Sequence, residues 1–278
     1  MVSSGSTGAG RGLAVIAGSG LGELEGQLKE RLGDRVSFGE RVPFADIEGV
    51  GESTVEGHSG IVLVGDVGGS GADPWPLALV LGRRHLYEGG RLGTPALIEW
   101  LAARGIRQLV AVSAAGAVNK ILRPGQLVVI TDIIDLQNRG FHQPHLRRSR
   151  GRALPDRAVG TGRPRLSQLL VRELEAAGRR ARVALARGTL ACGVGPAYET
   201  PAEVRLLRKI GADVATMSAA PEVQFATDAG MEVAVVAAVT NLGTGIGPEP
   251  PDHSGVLAVA ATMSGPLGAI LAEVATGA

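Results

Sequence analysis

Three stretches of this chain carry residue types that can do chemistry. Gly82-Arg83-Arg84-His85-Leu86-Tyr87-Glu88-Gly89 directly follows an apolar β-rich run, which is where an α/β sheet presents its ligands. If the strand alternation continues, Arg83, His85 and Tyr87 point the same way. An arginine offers a planar fork to an oxyanion, and a neighbouring histidine donates or accepts near neutral pH. A salt-bridged sheet edge is the plainer reading of the same residues. Gly18-Ser19-Gly20-Leu21-Gly22 closes the first strand with exposed amides and a hydroxyl that could cradle a phosphate. A dinucleotide fingerprint needs a third glycine where Glu23 stands, and the Lys-Ser/Thr pair of a P-loop is missing, so a ligand-free tight turn stays open. In Tyr198-Glu199-Thr200-Pro201-Ala202-Glu203 the threonine, proline and second glutamate form a helix capping box. Glu203 thus has a local duty, and Glu199 is the one free to meet a ligand.

The elements that must position these residues alternate between short apolar runs and helical periods, the pattern of an α/β domain with a largely parallel sheet. Strands are predicted at Leu13–Ala17, Ile61–Val67, Pro76–Leu81, Leu109–Val112, Gln126–Thr131, Val183–Ala191, Asp213–Met217 and Glu232–Thr240. The breaker cluster 68–74 reads as a hairpin loop. Helices start at Thr94-Pro95 and at Thr200-Pro201, with Gly105 and Gly211 placed to end them. A third spans Leu166–Ala177, where Leu166, Leu169, Leu170 and Leu174 share one face. Asn241 after the last strand reads locally as a turn residue, Met217 as core filling, Tyr198 as a half-buried anchor and His253 as a polar residue opening the C-terminal helix.

Composition narrows the function class. With 278 residues, 45% hydrophobic and 20% charged, the chain can bury a large core, which excludes collagen-like, coiled-coil and disordered classes. The net charge of +1 gives no global field toward nucleic acid or anionic membrane, so any anion must be bound locally. One cysteine, Cys192, supports neither a disulfide nor a cysteine-based metal site, and reads as a small buried hydrophobe. Residues 1–12 read as a disordered leader, and no uninterrupted apolar run reaches eighteen residues, so the protein is expected to be soluble. Residues 139–165 carry eight arginines, three prolines and no apolar period, and read as a long surface loop. Phe141 alone interleaves them, which argues against base stacking on a nucleic acid.

Seven blocks taken in order resemble the trimeric purine nucleoside phosphorylases. They are G-S-G-L-G at 18–22, E-G-H-S-G at 56–60, G-R-R-H-L-Y-E-G at 82–89, S-A-A-G at 113–116, G-P-A-Y-E-T-P-A-E at 195–203, M-S-A-A-P-E-V at 217–223 and V-T-N-L at 239–242. The resemblance implies one catalytic domain over 13–278, with a mixed, partly barrelled central sheet wrapped by helices. It implies reversible phosphorolysis of inosine, guanosine and their deoxy forms to free purine and pentose 1-phosphate. Inorganic phosphate is then the co-substrate, with no metal or organic cofactor, in a cytoplasmic homotrimer. Carried over residue by residue, phosphate would lie among Ser19, Arg83, His85, the Ala114 amide and Ser218, with no desolvated carboxylate opposing them. Tyr87, Met217 and His253 would meet the sugar, Tyr198, Glu199 and Asn241 the base, and His58 would ride on a flap over the site. Catalysis would fall to Asn241, Glu199 and His85.

That set has a chemical logic. Breaking the C–N bond leaves negative charge on the purine, which the Asn241 amide could receive at N7. The Glu199 carboxylate accepts from N1–H and an exocyclic amine, which favours 6-oxopurines because adenine has no proton on N1. The chain departs from the resemblance at Ser113, where asparagine is usual, at Glu56, where proline is usual, at Arg84, and throughout 137–165, where Phe141 is the one candidate for an aromatic lent to a neighbouring subunit. Other readings are a 5′-methylthio-nucleoside phosphorylase, a non-catalytic purine-binding protein on the same scaffold, and a dinucleotide-dependent oxidoreductase.

Overall fold

A computed structural model describes residues 12–68, 73–89, 93–137 and 165–277. The expected leader, most of the arginine-rich loop with Phe141, and part of the 68–74 cluster lie outside the described residues. Gly12, assigned above to the leader, opens the first strand, β1 (Gly12–Ala17).

The remaining strands are β2 (Val36–Pro43), β3 (Ile61–Val67), β4 (Trp75–Leu81), β5 (Ile106–Ala117), β6 (Leu127–Asp135), β7 (Leu185–Cys192), β8 (Val214–Thr216) and β9 (Glu232–Leu242). They form one sheet in the order β2-β3-β4-β1-β5-β8-β7-β6-β9, and β5 also pairs with β9. That extra pairing closes β5, β8, β7, β6 and β9 into a barrel, with β1, β4, β3 and β2 continuing outward as an open sheet. The pairing is mixed rather than largely parallel: β1 runs parallel to β4 and β5, while β3 is antiparallel to both β2 and β4. The β3–β4 hairpin agrees with the breaker cluster between them.

Strands that read as unbroken apolar runs are buried on both faces. In β1, Leu13, Val15 and Ala17 join one hydrophobic cluster, and Ala14 and Ile16 join the other. Onto the first cluster pack α1 (Leu24–Leu32), α3 (Gln168–Ala181) and α7 (Ser264–Thr276). Onto the second pack α2 (Thr94–Ala103) and α5 (Ala220–Asp228). Two helices border the site described below: α4 (Pro201–Lys209), whose Thr200–Glu203 capping box forms as the sequence predicts, and α6 (His253–Thr262). Among the described residues no single helix is long and apolar enough to cross a membrane; α6 and α7 pass such a test only together, across a 52° bend, and α7 packs mostly into the core. The sequence reading missed β2, of which only Val36 is buried, so it carries no alternating apolar signal.

Candidate active site

The site arises where β5 changes partner. β5 pairs with β1 as far as Val112 and takes up β8 at Gly116, so Ser113, Ala114 and Ala115 face the gap between the two partners. The Gly18 turn and the Gly82–Gly89 segment leave the ends of β1 and β4 beside this gap, where a sheet of this kind binds ligands. A cleft of about 340 Å³ opens there. Ser19, Arg83, His85, Tyr87, Ala114, Tyr198, Glu199, Met217, Ser218, Asn241 and His253 line it. The chain brings all eleven together from distant positions. His58 does not line the cleft but contacts three residues that do, Ser19, Arg83 and His85.

At one end the polar groups suit an anion, with one correction to the sequence reading. Arg83 is 4% exposed, and its Nε lies 2.8 Å from Oε1 of Glu222, itself 3% exposed. A desolvated carboxylate therefore does oppose the arginine, and the local charge is balanced before any ligand arrives. The rest of the guanidinium is held by the carbonyls of Val112 and Ile16, at 2.8 and 3.4 Å, and by the hydroxyls of Ser113 and Ser218, at 3.3 and 3.2 Å. Ser218 precedes Ala219, whose φ of 75° is a left-handed conformation that costs an alanine energy.

Arg83, His85 and Tyr87 all reach the cleft, but strand alternation is not the reason. β4 ends at Leu81, and Leu86–Glu88 forms a 3₁₀ turn capped by His85 and Glu88. The Glu88 carboxylate accepts from the His85 amide at 2.6 Å and lies 3.2 Å from His85 Nδ1. The rings of His58, His85 and Tyr87 form a continuous stack, with centroids 5.2 and 4.8 Å apart. His58 Nδ1 is 2.9 Å from Arg83 O, so it carries the proton, and Nε2 accepts from the Ser19 hydroxyl at 3.0 Å. Burial, then the Arg83 charge, pulls the His58 pKa down to about 3; the same causes lower His85. Between pH 6.5 and about 3 the unfolded chain therefore binds a proton that folded His58 excludes, and stability falls as pH is lowered through that window. His58→Gln is expected to flatten this acid loss relative to the parent, read as the urea midpoint against pH; parallel curves would remove His58 as its source.

At the other end the lining turns toward a flat, polar-edged ligand. A bulge in β9 pairs Ala115 with Val239 but Gly116 with Asn241, leaving Thr240 as the extra residue. Thr240 Oγ1 donates to Asn241 Oδ1 at 2.9 Å and Asn241 Nδ2 donates to Leu242 O at 3.1 Å, which fixes the amide plane. Gly116 permits this, since a Cβ there would lie 3.0 Å from Asn241 Nδ2. Glu199 is half-buried, and desolvation, with Glu203 nearby, raises its pKa. Glu203 is spent on Thr200, accepting from its amide at 2.7 Å and its hydroxyl at 2.8 Å.

Tyr87, Met217 and His253 line the same cleft. His253 Nε2 sits 3.2 Å from Glu56 O, tying the start of α6 to the 51–60 loop. Gln137 donates to Met217 O and Gly193 O at 3.0 and 2.8 Å. At Gly195, with φ of 74°, a Cβ would fall 2.5 Å from Met217 Sδ and 2.9 Å from Tyr87 Cδ1. Gly195→Ala is thus expected to push these side chains apart and weaken binding of the cleft's ligand several-fold, read as its Kd; an unchanged Kd would detach this region from the ligand.

The model of the phosphorylase superfamily matches residues 13–276. The chain belongs to the phosphorylase superfamily. Its relatives there include purine nucleoside phosphorylases. It is 31% identical to purine nucleoside phosphorylase 1 of Geobacillus stearothermophilus over 253 residues, covering 88% of this chain and 83% of the relative. It is 35% identical to the Mycobacterium tuberculosis purine nucleoside phosphorylase over 234 residues, covering 84% and 80%. The Schistosoma mansoni purine nucleoside phosphorylase in complex with inosine superposes with a TM-score of 0.75 at 25% identity, covering 97% of this chain and 91% of that one. As a family member, this chain has an α/β fold of the expected type. Among its described residues no three His, Cys, Asp or Glu side chains could hold a metal ion. Sequence reading missed Ser113, Glu222 and Thr240 as parts of the site. All three lie inside the blocks at 113–116, 217–223 and 239–242, and Glu222 also stands in the first turn of α5, where it reads as a helix-terminus charge.

Proposed function

We propose that this chain catalyses reversible phosphorolysis of purine nucleosides, exchanging the purine for inorganic phosphate at C1 of the pentose. The observation that carries this reading is one cleft with an anion-suited end at Ser19, Ala114 and Ser218 and a base-suited end at Glu199 and Asn241. The purine nucleoside phosphorylases that it resembles in sequence support it. Phosphate occupies the Ser218 end and approaches the sugar carbon as the C–N bond breaks. Asn241 donates to the departing purine at N7, where its negative charge gathers. Glu199, ionised, accepts from N1–H, which favours inosine and guanosine over adenosine. Tyr87, Met217 and His253 hold the pentose between them.

A 5′-methylthio-nucleoside would call for an apolar group where His253 stands, so the hydroxyl form is the better fit. The resemblance to trimeric members supports a homotrimer, and the free thiol of Cys192, buried and donating to Ser218 O, suits a reducing cytoplasm. Incubation of the chain with inosine, with and without phosphate, tests the reaction. Phosphate-dependent release of hypoxanthine and ribose 1-phosphate is expected, and nucleoside binding without turnover would overturn it in favour of a non-catalytic purine-binding protein.

A further inference from the structure

We infer that Ser113 is a positioning residue that turns the Ser218 hydroxyl into a donor for the bound oxyanion, an inference resting on the phosphorolysis reading above. Ser113 does not line the cleft and is 0% exposed, yet its side chain sits directly behind the anion end. Ser113 Oγ, Ser218 Oγ and Arg83 Nη1 form a triangle with sides of 3.0, 3.2 and 3.3 Å.

Either serine oxygen is placed to donate to the other, and one assignment gives every hydroxyl proton in this triangle an acceptor. Arginine only donates, so both hydroxyls accept from Nη1. The Ser113 proton then has a single hydroxyl within reach, Ser218 Oγ at 3.0 Å. Ser218 accepts from both neighbours and keeps its own proton for a third direction. Inside the protein that direction leads to Thr216 Oγ1 at 3.3 Å, which can receive because its own proton goes to Ala114 O at 3.0 Å. On the cleft side it leads to whatever acceptor is bound there. A charged oxyanion is a stronger acceptor than a threonine hydroxyl, so it takes the proton. Without Ser113, Ser218 loses one of its two fixed donors, and its hydroxyl can turn out of the donating orientation.

The test is steady-state kinetics with inosine and phosphate varied in turn, alongside calorimetric titration of inorganic phosphate into the full chain. Ser113→Ala is expected to raise the phosphate KM and Kd about five- to tenfold while the inosine KM stays within about twofold. Ser113→Thr, which keeps the hydroxyl, restores phosphate affinity. Ser218→Ala weakens phosphate at least as much, and the Ser113→Ala/Ser218→Ala double variant is no worse than Ser218→Ala alone. Additive losses, equal rises in both KM values, or a phosphate Kd that Ser113→Ala leaves unmoved would each overturn the inference. Should the parent chain bind phosphate but fail to cleave inosine, the functional reading falls, while the calorimetric cycle still decides the role of Ser113.

Discussion

Asn241→Ala is expected to lower kcat for inosine about 10²- to 10³-fold, the usual cost of removing one preorganised donor from a developing anion. The leaving purine needs a hydrogen bond that strengthens as the glycosidic bond stretches, and the fixed amide of Asn241 lines the cleft proposed to hold the base. Its aim depends on Thr240, the bulged residue whose hydroxyl holds Oδ1 at 2.9 Å. Thr240→Val should therefore reproduce part of the loss with the amide still in place. Asn241→Asp makes the specificity argument testable in the same assay: a carboxyl can accept from a 6-amino group, so adenosine turnover should rise relative to inosine. An unchanged ratio would break the link between this residue and the six-position of the base, and full activity in Asn241→Ala would remove it from the reaction.

Arg83→Ala is expected to act on stability as strongly as on phosphate use. Removing one partner of a buried ion pair strands the other charge, which costs about 3 to 5 kcal/mol. Here the stranded group is Glu222, beside an Arg83 whose guanidinium also serves two carbonyls and two hydroxyls. Chemical denaturation should show a lower midpoint with an unchanged m-value. The double variant Arg83→Met/Glu222→Leu removes both charges and fills the space, so it should recover most of the stability. It should not recover phosphate affinity, because the charge behind the Ser218 hydroxyl is gone. If the single variant unfolds like the parent, the ion pair contributes little. If the double variant binds phosphate normally, Arg83 has no part in the anion site.

Local signals carried far in this chain. The Thr200–Glu203 capping box, the apolar runs of β1 and β9, and half of the expected leucine face are each written in neighbouring residues: Leu170 and Leu174 are buried, while Leu169 is exposed and Leu166 precedes the helix. These signals could be read from periodicity and helix-end chemistry alone. Spacing and residue type also brought forward Arg83, His85 and Glu199, because glycine-rich turns and a free glutamate beside a spent one stand out in one dimension, whereas Asn241 reads locally as a turn residue and came forward only through the resemblance. β2 escaped because only one of its residues faces the core. Strand alternation past Leu81 misled, because the Glu88 carboxylate caps a turn there and ends the extended backbone.

Folding alone decided what no neighbour relation encodes. The β5–β9 pairing that closes the barrel, its shifted register that sets Gly116 against Asn241 and leaves Thr240 bulged, and the Glu222 carboxylate against Arg83 all join residues far apart in the chain. So does the triangle of Ser113, Ser218 and Arg83, whose proton directions follow from burial and three distances. A residue's type tells which bonds it can make. Which bonds it does make depends on the groups left within reach once water has been excluded, and that is a property of the packed chain.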